Sequence, residues 1–345
     1  MFISVLELFK IGIGPSSSHT MGPMVAASDF RNRIQAFSAT HSVDPDLHVR
    51  CTLKGSLAFT GKGHAADRAV ALGLHGYSPE GLADQPVNEL TERLWHSHSI
   101  TLNETLAARF CAAEDVVFDR GKPLPQHPNG MIFELLDRSG KAILAETYFS
   151  IGGGFVNTLA EISTLDAPLK MESASSCPYP FDSADAMVQM ADDSGLSIAA
   201  MKRLNEHTKM TDTALDQGLD AIWRAMQVCL EKGLAVEGIL PGSLKLPRRA
   251  KALFKQLQDA PAEANLNDWL CAYAMAVNEE NAAGHMVVTA PTNGAAGVIP
   301  AVLYYLMHHE GGTLEQVREF LLTAAAVGGI IKHRSSISGA EVGCQ

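Results

Sequence analysis

The spacing of apolar residues changes from a mixed pattern in the first half of this chain to a helical one in the second. Residues 48–53 alternate apolar and polar side chains, which is typical of a strand with one buried face. From residue 183 onward, apolar residues recur every three or four positions, most clearly over 211–233. We therefore predict an α+β N-terminal domain with an antiparallel sheet, followed by an all-α C-terminal domain.

A hairpin and a weakly patterned segment set the predicted domain boundaries. Residues 131–136 and 142–149 read as strands on either side of a polar turn that contains Ser139 and Gly140. The stretch 166–180 is rich in Ser, Ala and Pro and has little periodicity. We predict an N-terminal domain over 1–165, a linker over 166–180 and a C-terminal domain over 181–345.

Length and charge exclude several classes of protein. A chain of 345 residues is long enough for two domains with separate cores. Its formal net charge of -11 argues against nucleic acid or an anionic membrane surface as a partner. No apolar run approaches the roughly 18 residues of a membrane span, and the N-terminus has no basic leader. We therefore predict a cytoplasmic protein that binds neither nucleic acid nor membrane.

Three hydroxyl residues and a histidine precede an apolar helical run. They are Ser16, Ser17, Ser18 and His19, and Thr20 extends the polar set. Ser or Thr at such a place is typical of a helix N-cap, and a cap needs one hydroxyl. The surplus indicates an anion pocket at the positive end of the helix dipole, with a titratable His in it. The alternative is a Ser-rich turn that only caps the helix.

A second histidine lies at the start of another predicted helix. His64 follows Gly61, Lys62 and Gly63, residue types that can hold an anion at a helix N-terminus. The spacing is not that of a P-loop, since no Ser or Thr follows the lysine. The alternative is a glycine turn into a surface helix.

A helix break in the second half carries polar residues between two apolar runs. Thr292 and Asn293, followed by Gly294, can donate hydrogen bonds to a substrate carboxylate. A break inside a helical domain leaves backbone groups without partners, which often marks a ligand site. Residues 278–281 form a polar insertion just before it, for which the alternative is a solvated helix end.

The six cysteines are scattered along the chain without a C-x-x-C pair. This pattern fits neither a zinc module nor a secreted disulfide framework. Cys229 and Cys271 lie in apolar helical runs and are predicted to be buried. Cys344 differs, because it lies in a glycine-rich polar turn.

Several of these motifs together resemble the bacterial iron–sulfur L-serine dehydratases (L-serine ammonia-lyases). The stretches that carry the resemblance occur in family order from one end of the chain to the other. They are residues 9–20, 60–64, 150–155, 277–283, 288–294 and 336–345.

The resemblance implies a reaction and a cofactor. The reaction is elimination of water from L-serine to give pyruvate and ammonia. The cofactor is a [4Fe-4S] cluster held by three cysteines, with one iron left open as a Lewis acid. Cys344 matches the first ligand position, and the other two lie further along in the family than Gln345. We therefore expect that the chain lacks the family's C-terminal part and is inactive alone. We also expect a homodimer.

The resemblance also assigns roles to residues. His19 and His64 are candidates for the base that removes the Cα proton of serine, because an imidazole titrates near neutral pH. The candidates for holding the substrate are Ser16, Ser17, Ser18, Thr20, Thr292, Asn293 and Gly294.

Two other functions stay open at this point. One is a non-catalytic remnant that cannot hold the cluster, since a single matching ligand is too few. The other is a pyridoxal-phosphate dehydratase, for which the glycines 152–154 would bind phosphate and Lys245 would bind the cofactor aldehyde.

Overall fold

The computed structural model describes residues 2–43, 46–82, 85–104, 106–164, 177–242 and 244–334. These residues divide into two compact units. The described residues from 12 to 164 form the first unit. Residues 2–11 and those from 177 to 334 form the second. The predicted linker over 166–180 falls largely outside the described residues.

The first 164 residues contain both helices and strands. The helices are α1 (Val5–Leu8), α2 (Gly22–Thr40), α3 (Ser56–Thr60), α4 (Ala66–Leu74), α5 (Val87–Trp95), α6 (Ala112–Asp115) and α7 (Leu159–Thr164). The strands are β1 (Ile11–Ile13), β2 (His48–Gly55), β3 (Ser99–Thr101), β4 (Ala107–Arg109), β5 (Val116–Asp119), β6 (Asn129–Leu136), β7 (Ala142–Ser150) and β8 (Val156–Thr158).

The remaining described residues are mostly helical. The elements are α8 (Ala184–Ser194), α9 (Ile198–Glu206), α10 (Asp212–Ala235), α11 (Ala250–Asp259), α12 (Leu266–Ala282), β9 (Met286–Val288), α13 (Val298–His309) and α14 (Leu314–Arg334). The prediction of an α+β region followed by a helical region is confirmed. The short strand β9 carries no sequence signal of its own, because three apolar residues are too few to show a period.

The first unit is built on one sheet with the strand order β3-β4-β2-β6-β7-β8, and β5 also pairs with β2. The predicted hairpin forms β6 and β7, with Met131 opposite Tyr148. Most pairings are antiparallel, but β2 runs parallel to both β4 and β5. The sheet is therefore mixed rather than wholly antiparallel. Strand direction at such a distance is not encoded in the alternation of side chains.

The core of the first unit lies between this sheet and helices α2 and α4. Phe133 lies at its centre, with its ring centroid 5.4 Å from that of Phe30 and 5.6 Å from that of Tyr148. All three rings are fully buried. Burial of each such side chain stabilises the fold by about 1.5–3 kcal/mol. This core fixes the end of α2 that carries the first polar loop.

The second unit packs its helices through apolar stripes. The stripe on α10 is buried throughout, as its spacing predicts, and contains Leu215, Leu219, Ile222, Met226 and Leu230. Thr211 caps the helix by accepting a hydrogen bond from the amide of Ala214 at 3.3 Å. Among the described helices, none has both the length and the apolar character needed to cross a membrane.

A buried carboxylate anchors the N-terminal segment to the helical unit. Glu206 on α9 accepts hydrogen bonds from Ser4 Oγ and from the amide of Val5, both at 2.7 Å. Lys202 lies 3.1 Å from the same carboxylate and also donates to the carbonyl of Ile3. A buried ion pair is stable only when hydrogen bonds satisfy it in this way.

Candidate active site

The hydroxyl loop, residues 16–20 at the start of α2, uses its side chains both to cap a helical turn and to contact another chain segment. Residues Ser17–Met21 form one turn of π-helix, and Ser16 is its cap, accepting a hydrogen bond from the amide of His19 at 3.2 Å. Thr20 Oγ1 accepts from the amide of Ser16 at 3.2 Å and donates to the carbonyl of His64 at 2.7 Å. Capping accounts for one hydroxyl only, and the Thr20 bond brings the two predicted histidines together.

His19 is buried, and both nitrogens of its ring have hydroxyl partners. Ser18 Oγ lies 2.8 Å from Nδ1, and Ser56 Oγ lies 3.1 Å from Nε2. Burial and, to a smaller extent, the neighbouring His64 lower the pKa of His19 to about 4, although the Ser56 contact opposes the shift. His19 is therefore a neutral imidazole at pH 7.

Ser56 is a residue of this site that the sequence did not reveal. It begins α3 directly after the last residue of β2. A serine at the end of a strand is common, so its sequence context carries no specific signal. Gly55 before it has a φ of 58° and allows the chain to turn towards Pro128, whose carbonyl accepts from the Ser56 amide at 2.8 Å.

His64 ends a turn of 3-10 helix over Gly61–His64 and is partly exposed. Its Nδ1 lies 2.9 Å from the carbonyl oxygen of Thr60. A carbonyl can only accept, so Nδ1 carries the proton and Nε2 has the lone pair when the ring is neutral. The ring centroids of His64 and His19 are 5.1 Å apart. The tautomer leaves Nε2 able to take a proton.

Ser150, the last residue of β7, forms a hydrogen bond with the hydroxyl loop. Its hydroxyl donates to the carbonyl of Ser18 at 2.7 Å. A Cβ added at Gly22 would lie only 2.0 Å from Ser150 Oγ, so the contact requires glycine at that position. Gly22 and Ser150, which are far apart in sequence, therefore fix the backbone next to His19.

The glycines after β7 also reach this loop. Gly152, Gly153 and Gly154 have φ angles of 80°, 60° and 70°, which L-residues with a side chain rarely adopt. The amide of Gly153 donates to Ser17 Oγ at 3.2 Å. The glycine run therefore has a local structural role beside the hydroxyl loop.

The other predicted substrate residues lie in the helical unit, in an irregular segment between β9 and α13. Asn293 is buried and donates from Nδ2 to Asn281 Oδ1 at 3.0 Å. Thr292 Oγ1 accepts from the amide of Ala295 at 3.4 Å, and Gly294 is exposed. The predicted helix break is present. These residues belong to the helical unit, whereas His19 and His64 belong to the first unit.

The polar insertion before the break is not a solvated helix end. Glu279 and Glu280 are both buried. Glu280 accepts from Arg248 Nη1 at 2.6 Å and lies 2.8 Å from His285 Nδ1. Glu279 accepts from the amide of Arg249 at 2.6 Å and so caps α11, which has no side-chain cap of its own. The two carboxylates fix the end of α12 next to the break.

The cysteines that the structure describes do not fit a cluster. Cys51, Cys111 and Cys229 are buried, and burial raises the pKa of Cys229 to about 12, which disfavours the thiolate that binds metal. Cys271 is exposed, so the prediction that it is buried is wrong, because it lies outside the apolar stripe of α12. Among the described residues, His, Cys, Asp and Glu form no group of three that could hold a metal. Cys344 lies outside them.

The pyridoxal-phosphate alternative is not favoured by the surroundings of its proposed residues. Lys245 is exposed on a loop, whereas a lysine that binds the cofactor aldehyde is normally enclosed. Ser243 beside it lies outside the described residues. The glycines 152–154 belong to the other unit, where the amide of Gly153 donates to Ser17 Oγ.

Comparison with protein-family models finds two consecutive matches. The model described as serine dehydratase beta chain matches residues 4–161, and the model described as serine dehydratase alpha chain matches residues 193–345. The two matches cover more than half of the chain and follow its division into an α+β and a helical part.

Curated relatives agree with these models. An L-serine dehydratase of Streptomyces coelicolor is 44% identical, over 100% of this chain and 75% of its own length. The L-serine dehydratase TdcG of Escherichia coli is 40% identical, over 99% of this chain and 75% of its own. An L-serine dehydratase of Helicobacter pylori is 38% identical, over 99% of this chain and 74% of its own.

Proposed function

The chain belongs to the serine dehydratase family, and from this premise we propose that it is a lyase that removes water from L-serine to give pyruvate and ammonia. The observation that carries the proposal is the pair of imidazoles at the hydroxyl loop. One ring is buried and neutral, and the other has a tautomer set by Thr60.

The elimination breaks two bonds of serine. The Cα–H bond breaks and its proton goes to a base, and the Cβ–O bond breaks with loss of hydroxide, which leaves as water once protonated. The product, 2-aminoacrylate, tautomerises to an imine that water converts to pyruvate and ammonia. The enzyme must therefore supply a base of suitable pKa at the Cα proton.

His64 is the proposed base. Its Nδ1–H donates to the Thr60 carbonyl, so Nε2 presents the lone pair that takes the proton. The same carbonyl stabilises the imidazolium that results, because a charged donor makes a stronger hydrogen bond. His19 is the less suitable base, since both its nitrogens contact hydroxyls and burial disfavours its charged form.

The neutral state of His19 assists a base at His64. Two imidazolium rings with centroids 5.1 Å apart would repel each other. A His19 that stays uncharged therefore removes an obstacle to proton uptake by His64. Burial maintains that neutral state, and the hydrogen bond to Ser56 opposes it.

The hydroxyl loop and the helix break are the proposed substrate contacts. Ser16, Ser17, Ser18 and Thr20 supply hydroxyls and amides beside the imidazoles. Thr292, Asn293 and Gly294 supply side-chain and backbone donors in the other unit. Each set is tested separately by the affinity of Ala variants for serine.

The [4Fe-4S] cluster enters the proposal through the family and through Cys344. The described residues do not form a site for it, and no step above depends on it. When bound, such a cluster supplies a Lewis acid that assists loss of hydroxide. Iron and sulfide content after anaerobic reconstitution measure its presence directly.

Serine-dependent release of pyruvate tests the proposed function. We expect the holoenzyme, meaning the protein with all three cysteine ligands and an anaerobically reconstituted cluster, to form pyruvate and ammonia in equal amounts and to lose this activity on iron chelation. Pyruvate release that survives chelation but stops with borohydride would contradict the proposal, because borohydride traps pyridoxal-phosphate intermediates. The predicted homodimer is measured in the same preparation by light scattering.

A further inference from the structure

The carboxamide of Asn129, the first residue of β6, has an acceptor without a partner. Asn129 is 2% exposed, and its Nδ2 donates to the carbonyl of Ser150 at 3.0 Å. That carbonyl can only accept, which fixes the nitrogen on this side and the oxygen on the other. Oδ1 is buried and has no hydrogen-bond partner among the described residues.

A buried acceptor without a donor is unfavourable, because it loses its hydrogen bond to water on folding and no other hydrogen bond replaces it. Such an atom in a folded protein points to a missing donor, either an ordered water or a ligand. A cationic donor makes the strongest hydrogen bond to a neutral carbonyl oxygen.

Two series of hydrogen bonds link Asn129 and its neighbour Pro128 to His19. On one side, Ser150 Oγ donates to the carbonyl of Ser18, whose hydroxyl lies 2.8 Å from His19 Nδ1. On the other, the carbonyl of Pro128 accepts from the amide of Ser56, whose hydroxyl lies 3.1 Å from His19 Nε2. Asn129 is therefore held by the two chain segments that position His19.

We propose that Asn129 Oδ1 accepts a hydrogen bond from the ammonium group of the amino-acid substrate, and so selects amino acids over hydroxy acids. The inference rests on the proposed function, because it takes L-serine as the substrate. An ammonium carries three donors and no acceptor, which matches an isolated acceptor. The carboxylate of the substrate, which has only acceptors, cannot fill this position.

Two ligands that differ only in the ammonium group test the proposal. They are L-serine and 3-hydroxypropionate, which keeps the carboxylate and the hydroxyl. Calorimetry gives both dissociation constants on holoenzyme that also carries His64→Asn, because the active holoenzyme would convert L-serine during the titration. In Asn129→Ala we expect the affinity for L-serine to fall by about ten- to a hundredfold, while that for 3-hydroxypropionate changes less than about threefold.

A second variant keeps the test valid if Asn129→Ala does not fold. Asn129→Asp preserves the volume, retains an acceptor and adds a negative charge. It should bind L-serine in clear preference to 3-hydroxypropionate, with a ratio of affinities at least about fivefold above that of the wild type. Equal changes for both ligands in the variants that fold would overturn the proposal, since an ordered water or a purely structural role affects both alike.

Asn157 provides a matched control. It is 1% exposed, and its Nδ2 also has no partner among the described residues. It pairs with Phe149, which pairs with Gly130, so its side chain points to the opposite face of the sheet from Asn129. Asn157→Ala should leave the ratio of the two affinities unchanged.

The two proposals can fail separately. Pyruvate release with an unchanged affinity ratio in the Asn129 variants would contradict the role of Asn129 alone. Selective loss of serine binding in Asn129→Ala without pyruvate release from the wild type would support Asn129 and contradict the enzymatic function.

Discussion

The imidazole rings of His19 and His64 lie with their centroids 5.1 Å apart and their planes tilted by 47°. The two rings differ in environment. His19 is 6% exposed and lies between two hydroxyls, whereas His64 is partly exposed and donates to a carbonyl. This difference supports the proposed roles, in which His64 takes a proton while His19 stays neutral.

The first prediction concerns the pH dependence of stability. Burial lowers the pKa of His19 from 6.5 to about 4, so the unfolded state binds its proton more tightly than the folded state. The contribution of neutral His19 to the free energy of unfolding is present above pH 6.5 and is lost as the pH falls towards 4. Between pH 7 and pH 5 this single group should lower the free energy of unfolding by about 2 kcal/mol. Urea unfolding at both pH values measures the change.

His19→Asn removes the titrating group, so its free energy of unfolding should depend less on pH by the same amount. The control is His98→Asn, which changes an exposed histidine of the same unit and should keep the wild-type dependence. An unchanged pH dependence in His19→Asn would show that His19 is not held neutral by the fold.

The second prediction concerns the close approach of Gly22 to Ser150. Gly22→Ala would place a methyl group 2.7 Å from Ser150 Cβ and still nearer to its hydroxyl. We expect it to lower the free energy of unfolding by about 1–3 kcal/mol. The double variant with Ser150→Gly removes the clash and should recover part of that loss, which differential scanning calorimetry can measure.

Gly329→Ala is the control for helix propensity. A Cβ added there meets nothing within 4 Å, and the residue lies inside α14. This substitution should stabilise the protein by up to about 1 kcal/mol. Stabilisation by Gly22→Ala as well would refute the close contact.

The third prediction concerns the buried ion pair of Arg248 and Glu280. The side chains are 5% and 2% exposed, and the oxygen and nitrogen lie 2.6 Å apart. Glu280→Ala leaves a buried guanidinium without its carboxylate and should cost about 3–5 kcal/mol of stability.

The exposed pair of Lys251 and Glu237, at 2.9 Å, is the comparison for this effect. Glu237→Ala should cost less than about 1 kcal/mol, because water screens exposed charges. Similar losses in Glu280→Ala and Glu237→Ala would show that the carboxylate of Glu280 is not buried with Arg248.

Periodic patterns predict the elements of this fold well because each pattern reflects which face is buried. The stripe on α10 and the hairpin of β6 and β7 are where their spacing places them. The parallel pairing of β2 with β5 could not be predicted in this way, since alternation is the same for either strand direction. The grouping of residues 2–11 with the helices includes hydrogen bonds to one buried carboxylate, that of Glu206, which no local pattern reveals.

The candidate site likewise contains some features that local sequence patterns predict and some contacts that they do not. The hydroxyl loop and the glycine turn are local features, so the sequence shows His19 and His64 as polar residues at helix starts. Their approach is long-range, and it includes the bond from Thr20 to the His64 carbonyl, across 44 positions. Ser56 and Asn129 have ordinary sequence contexts, and only the packing of their strands brings them towards His19.

The most direct test of the account is pyruvate release from L-serine by the holoenzyme with His64→Asn, beside the wild type and His98→Asn. The account predicts a loss of at least about a hundredfold in kcat for His64→Asn, because a positioned base contributes that much or more. Serine affinity and the His98→Asn control should stay near the wild type. Pyruvate release by His64→Asn at the wild-type rate would contradict the account, since Nε2 of His64 could not then be the base.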